Sequence, residues 1–314
     1  MIDIVVLFFL LGLFAGLARS ELKLPPQLYD SLSLVLLLAI GLKGGEGLAK
    51  QALLPLLPQF GAVILLGVLQ TFLAFAVLRR RFATADAAST AAHYGSVSVA
   101  TFAVGVNWMN ARAIDFEPQL PIFLAIMEVP PIVLGILLAR GLKAGTNWRQ
   151  LGHEAFFGKG VVLLLGGMAI GWVAGPEGLA PIKPLFFDLF KGALAIFLLE
   201  MGLIVARQTG ELRRQGVFLV GFGVLMPVVS ALLGIGCGVA LGLSPGGVAL
   251  LATLAASASY IAVPATMRLA VPEANPALSL AAVLGVTFPF NILAGIPFYY
   301  WLTELVTRHT GVVP

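Results

Sequence analysis

His93-Tyr94-Gly95-Ser96-Val97-Ser98-Val99-Ala100-Thr101 and Leu254-Ala255-Ala256-Ser257-Ala258-Ser259-Tyr260-Ile261-Ala262 are the two stretches around which the chain is organised. Ser96 falls on Ser257 and Ser98 on Ser259 at one offset of 161 residues. Each is a small, hydroxyl-rich patch inside a long apolar run. Small polar residues at membrane depth, repeated in both halves of a chain, point to a binding site built from interrupted transmembrane helices.

Composition supports a membrane setting. Of 314 residues, 59% are hydrophobic and 11% charged, against about 25% charged in soluble domains. Mean hydropathy is +1.00. The apolar runs are long and lack the alternation of a membrane barrel, so helices are the expected spans. The 36 glycines and 19 prolines suit packed, interrupted membrane helices. The lone Cys237 rules out an internal disulfide and any multi-cysteine metal site. The basic residues sit in short clusters between apolar runs, a topology signal and not a nucleic-acid patch. The run from Ile4 to Ala18 follows Asp3 and not a basic segment, and no clear cleavage site follows it. It is read as the first span, not a signal sequence.

Ten spans are expected: 2–18, 28–44, 53–78, 86–109, 119–139, 157–174, 186–205, 216–241, 246–268 and 278–303. With this count, the odd-numbered loops and the span ends that border them hold 13 of the 19 basic residues, including Arg79, Arg80 and Arg81. Lys/Arg bias then places those loops in the cytoplasm and both termini on the non-cytoplasmic side. Repeats support the division. Span 2 (from Leu28) aligns with span 7 (from Leu189) at the same offset of 161, placing Gly41 on Gly202. Gly12 and Gly16 of span 1 answer to Gly167 and Gly171 of span 6, and Pro130 of span 5 to Pro289 of span 10. Five spans per unit is an odd number, so the second unit enters the membrane from the opposite side. The expected fold is an all-α integral membrane protein of ten transmembrane helices, a 5+5 inverted repeat with helices 4 and 9 broken. The first repeat covers 1–139, a cytoplasmic linker 140–156 and the second repeat 157–314.

Within that frame, several polar residues carry chemistry. Glycine and serine weaken a helix at Gly95-Ser96-Val97-Ser98. A break exposes N–H groups at the start of the next half-helix, which attract an anion. It also frees carbonyls at the end of the preceding half-helix, which can hold a small cation together with hydroxyls. The same reasoning applies to Ser257 and Ser259, with Thr253 nearby. A serine taken alone more simply permits close packing or bonds back to its own helix. Glu128, in Met127-Glu128-Val129-Pro130-Pro131, is a carboxylate inside a span. It is costly there and is a candidate sodium ligand or proton carrier, with Thr287 as its counterpart. Asn291 offers a carbonyl oxygen to a cation or ties two helices together. Glu200 falls on Ala39, so its role is structural or at a subunit interface at least as readily as in transport. His93 reads as a packing or gating residue rather than a proton relay. No phosphate loop or metal-ligand pair at helical spacing is present, and nothing favours an enzyme.

Gly41-Leu42-Lys43-Gly44-Gly45, the Gly95–Thr101 patch, Glu128-Val129-Pro130, and the run from Ala255 to Pro276 together resemble the sodium-dependent bicarbonate transporter family of SbtA type. The resemblance covers nearly the whole chain, and Ala255–Pro276 is its most specific part. It implies a ten-span inverted-repeat fold, a homotrimer and sodium-coupled bicarbonate uptake across a bacterial inner membrane. It also implies substrate and sodium between the breaks of the fourth and ninth spans. Carried over, the substrate residues are Gly95, Ser96, Ser98, Ala256, Ser257 and Ser259. The sodium candidates are Ser98, Thr101, Glu128, Thr253, Ser259 and Asn291. The chain departs from the family's pattern at three places. Tyr260 stands where an acidic residue is usual, Glu128 replaces an aspartate, and only about 17 residues, Arg140 to Phe156, join the halves. So short a linker argues against the family's PII-like regulator. The expected function is sodium-coupled symport of bicarbonate or a similar monoanion. A sodium- or proton-coupled carrier of another solute, a cation/proton exchanger using Glu128, and a membrane enzyme or scaffold are the alternatives.

Overall fold

The computed structural model of the chain describes residues 3–50, 54–141, 149, 152–153 and 157–310. All regular structure among them is helical. The first helices are α1 (Ile4–Leu17), α2 (Pro26–Leu48) and α3 (Leu57–Leu78). A short pair, α4 (Thr84–Gly95) and α5 (Val99–Asn110), follows, then α6 (Leu120–Arg140). The expected linker 140–156 lies mostly outside the described residues. Beyond it come α7 (Lys159–Leu179) and α8 (Phe190–Ala240). A second short pair is α9 (Pro245–Ala256) and α10 (Ala262–Ala270). The last helix, α11, runs from Pro276 to Arg308.

Six helical segments are long and apolar enough to cross a membrane: those of α2, α3, α6, α7, the second arm of α8, and α11. The chain is a multi-pass membrane protein. Its outward side chains, such as Leu11, Phe14, Leu165 and Trp172, are exposed apolar groups suited to lipid. The regions 86–109 and 246–268 are helical at both ends and interrupted in the middle. At Gly216 the backbone of α8 takes φ 79°, a conformation that glycine adopts without a Cβ penalty. It divides α8 into arms 190–215 and 217–240. In α11, π-turns at Val283–Thr287 and Asn291–Gly295 flank Pro289, whose missing N–H disturbs the regular ladder.

Glycines sort the helices into two groups. Gly41 of α2 lies against Leu164 and Gly167 of α7, and Gly171 against Leu42. Gly12 of α1 meets Leu199 of the first α8 arm, Gly16 meets Leu203 and Ala206, and Gly202 meets Phe9 and Leu13. A Cβ at Gly12, Gly171 or Gly202 would strike backbone, so only glycine permits these approaches. The second group centres on the interrupted pairs. Gly135 of α6 packs on Ala88 and Ala92 of α4, and Gly234 of the second α8 arm on Ala252 and Ala255 of α9. Phe9 against Phe288 edge-on, 5.9 Å between centroids, joins the two groups.

Candidate functional site

Ser96 is extended (φ −85°, ψ 175°), as is Ser257 (φ −79°, ψ 169°). Ser98 is the N-cap of α5: its Oγ accepts the Thr101 N–H at 3.2 Å and the Thr101 hydroxyl at 3.1 Å. The residue before α10 is Ile261, which has no side chain to cap the helix. The first turn of α10 is therefore left without a side-chain cap.

The interrupted segments cross each other. Ser98 N–H donates to Ser257 Oγ at 2.8 Å, and Ser259 N–H donates to the His93 carbonyl at 2.9 Å. His93 Nδ1 in turn pairs with the Ser259 carbonyl. His93, Ser96, Ser98, Ser257 and Ser259 are all buried. Ser257 Oγ also donates to the Leu254 carbonyl at 2.7 Å, and Ser96 Oγ to the backbone carbonyl of Glu128 at 3.2 Å. Of the six residues read from the sequence for the substrate, the crossing joins Ser98 to Ser257 directly and Ser259 to the His93 backbone, while Ser96 turns to α6, Ala256 meets Asn291, Gly95 packs on α3, and none of the six lines the large cavity beside them. The crossing also recruits His93, whose ring reaches from the last turn of α4 to the second interruption.

The sodium candidates do not all meet. Ser98 and Thr101 are hydrogen-bonded partners. Thr253 Oγ1 bonds back to the Ala249 carbonyl within α9 at 2.8 Å. Asn291 Nδ2 donates to the Ala256 carbonyl at 2.8 Å, and its Oδ1 accepts from the Tyr299 hydroxyl at 2.7 Å. The Glu128 side chain, 7% exposed, has an oxygen with no partner among the described residues. The Tyr260 hydroxyl is likewise unpartnered among the described residues, and its ring meets Phe288 edge-on at 5.7 Å. Glu200, in the first α8 arm, is buried with Oε2 unpartnered in the same sense.

A cavity of about 510 Å³ opens beside the crossing. Val99, the first residue of α5, and Ala262, the first residue of α10, both line it. Glu128 lines it too, and Asp30 and Lys159, which pair at 3.3 Å, stand at its polar rim. A second cavity of about 290 Å³ lies on the other side, under Lys43 and Asn110. One turn of α2 (Leu37 to Ile40) and one of α5 (Val99 to Phe102) separate the two.

Gln70 is the polar contact that sequence reasoning missed. Its Nε2 donates to the Ala255 carbonyl at 2.9 Å. The signal was available: Gln70-Thr71 is a polar pair in the middle of the apolar run Val63–Leu78.

A family model described as the Na+-dependent bicarbonate transporter superfamily matches residues 4–304. No curated protein matches the chain.

Proposed function

From the premise that the chain belongs to the Na+-dependent bicarbonate transporter superfamily, a family of transporters and not of enzymes, we propose a specific mechanism. Bicarbonate, or a similar monoanion, binds at the crossing of the two interrupted helices, and sodium drives its uptake. The observation that carries this reading is the shared cavity. The N-terminal residues of both half-helices, Val99 and Ala262, line one space of about 510 Å³. Two helix N-termini facing one site offer N–H groups and two positive macrodipole ends to a single negative charge. No buried arginine is then needed.

Glu128 lines the same cavity with an oxygen unpartnered among the described residues. A sodium ion at that carboxylate offsets its charge and that of the nearby anion, so each binding favours the other. Ser98, Thr101 and Ser259 belong to the crossing itself and Asn291 reaches it through the Ala256 carbonyl, whereas the Thr253 hydroxyl is taken by its own helix.

We read the whole as ten spans in a 5+5 inverted repeat. The glycine contacts support this. Gly41 on Leu164 and Gly167 mirrors Gly202 on Phe9 and Gly12, and Gly12 on Leu199 mirrors Gly167 on Leu38. Those pairs follow the same offsets as the sequence repeat. The α1–α2–α7 group with the first α8 arm would then rock against the rest to alternate access. The large cavity opens beside Asp30 and Lys159, on the side that the Lys/Arg bias places in the cytoplasm. The structure is accordingly read as inward-open.

The experiment is labelled bicarbonate uptake into proteoliposomes with and without an inward sodium gradient. Uptake that rises with the gradient is expected. Sodium-independent uptake, or none, overturns the reading. Flux that follows a proton gradient without bicarbonate would instead support exchange at Glu128.

A further inference from the structure

Arg79, Arg80 and Arg81 follow the last turn of α3 as three cations in a row, all exposed. The Lys/Arg bias accounts for their side of the membrane but not for how they are held. Other cations of the chain have carboxylates: Arg140 lies 3.4 Å from Glu273 and Lys159 3.3 Å from Asp30. None of the three arginines has a carboxylate partner among the described residues. The acid that follows them most closely in sequence, Asp86, accepts the Asn275 N–H at 2.7 Å. Two of the three side chains are nonetheless placed. Arg79 Nη1 donates to the Phe82 carbonyl at 3.3 Å. The Arg81 guanidinium lies over the Phe218 ring, 5.4 Å from its centroid.

Phe218 ties this cluster to the bend of α8. It stands two residues after Gly216, and its ring meets that of Phe82 at 5.8 Å between centroids. Phe75, Leu78, Leu219 and Phe222 share one apolar cluster with them, so the cationic end of α3 and the start of the second α8 arm form a single junction. Away from the arginines, both helices turn apolar side chains outward: Leu73 and Val77 on α3, Val217 (87% exposed) and Val220 on α8. A guanidinium group meets two oxygens of one phosphate through parallel N–H bonds. Cations at the hydrocarbon edge with apolar surface beside them match a molecule of two parts, an anionic head on apolar chains. A free anion would use the arginines and leave the apolar surface unused, and a soluble protein could not reach that surface through lipid.

We propose that an anionic phospholipid docks at this junction, with its phosphate on Arg79, Arg80 and Arg81 and its acyl chains along α3 and the second α8 arm. It comes from the leaflet on the side that the Lys/Arg bias assigns to the cytoplasm. The first α8 arm packs on α1 and the second on α9, so the lipid sits where the two helix groups are joined.

The test uses the full chain in a neutral detergent, with phosphatidylglycerol or phosphatidylcholine titrated in and the melting midpoint read. Phosphatidylglycerol should raise the midpoint at lower concentration than phosphatidylcholine. Each arginine near an anionic surface contributes about a factor of five in affinity. Arg79→Gln with Arg80→Gln should therefore raise half-saturating phosphatidylglycerol about tenfold or more, with an unchanged midpoint before lipid is added. Arg79→Lys with Arg80→Lys keeps the topology signal and is read where the glutamine pair does not insert. An ammonium does not bridge two phosphate oxygens, and a rise of about threefold is expected. Arg268→Gln removes a cation of another loop and should stay within about twofold of wild type. Equal responses of wild type to the two lipids overturn the proposal, as do arginine variants that respond as wild type. A loss in Arg268→Gln as large as in the pair marks general surface charge and overturns it too. Inorganic phosphate that stabilises as well as phosphatidylglycerol would reveal a free-anion site in place of a lipid site. The readout involves neither sodium nor bicarbonate, so its outcome is separate from that of the transport reading.

Discussion

Ser257 is the residue on which the crossing turns. Its Oγ accepts the Ser98 N–H and donates to the Leu254 carbonyl, so it links α9 to the start of α5. Ser257→Ala leaves a buried N–H without a partner, which costs about 1–3 kcal/mol. The loss should be seen as a lower midpoint in detergent denaturation together with a strong drop in bicarbonate uptake. A bulky residue at Ser96 or Ser257 should abolish uptake outright, and transport that survives both changes would exclude the crossing as the anion site. Glu128→Gln keeps the shape and removes the charge. Half-saturating sodium for uptake should then rise by about tenfold; an unchanged value would remove Glu128 from the coupling. These serines and Glu128 were legible in the sequence because polar groups inside apolar runs stand out. Gln70 stands in an apolar run in the same way, but its partner, the Ala255 carbonyl, is 185 residues away and is backbone, which no side-chain pattern reveals.

Among the elements, the close pairs α2–α7 and α1–α8 depend on missing side chains. Gly166 and Gly171 lie on the same helix, α7, and differ only in what they face. A Cβ at Gly166 would meet no neighbouring helix within 4 Å, whereas one at Gly171 would strike the Leu42 backbone. Gly171→Ala should therefore destabilise by about 1–3 kcal/mol. Gly166→Ala should be neutral or stabilise by up to about 1 kcal/mol, from helix propensity. Melting of the purified variants in one detergent decides this, and equal midpoints would contradict the packing. Gly202→Ala, which drives a Cβ into the Phe9 backbone, should match Gly171→Ala in size if the two helix pairs are true counterparts. The small-residue spacing was visible in the chain. The pairing of span 1 with span 7, and of span 2 with span 6, was not, because local pattern does not say which small faces meet.

For the whole molecule, the decisive property is which face the large cavity opens to. Ile261 is half exposed on its wall, and Asn110 lines the smaller cavity opposite. In a Cys237→Ala background, Ile261→Cys should react with an impermeant thiol reagent from the cytoplasmic side and Asn110→Cys from the other. Labelling studies in right-side-out and inverted vesicles would show this. Sodium plus bicarbonate should slow the reaction at Ile261→Cys. Labelling of Ile261→Cys from the outer side alone would reverse the assigned orientation. The outer closure includes Asp3, which accepts from Asn107 Nδ2 at 3.0 Å and lies 3.6 Å from Lys191 Nζ. It ties α1 and α8 to α5.

Chain chemistry alone determined that this is a helical membrane protein, where its helices are interrupted, and that both interruptions carry paired serines. These follow from local rules: apolar length sets spans, and Gly-Ser pairs spoil a helix wherever they stand. Family membership was also legible, because its motifs are contiguous. Only the tertiary structure decided how the two interruptions meet. The Ser98–Ser257 bond, the His93 bridge and the shared cavity at Val99 and Ala262 join residues about 160 positions apart. The paired serines began as equals. Folding made them unequal, because side chains from α3 and α11 reach the carbonyl end of α9, whereas backbone amides meet that of α4. Such competition for buried acceptors is settled by three-dimensional packing and has no trace in sequence spacing.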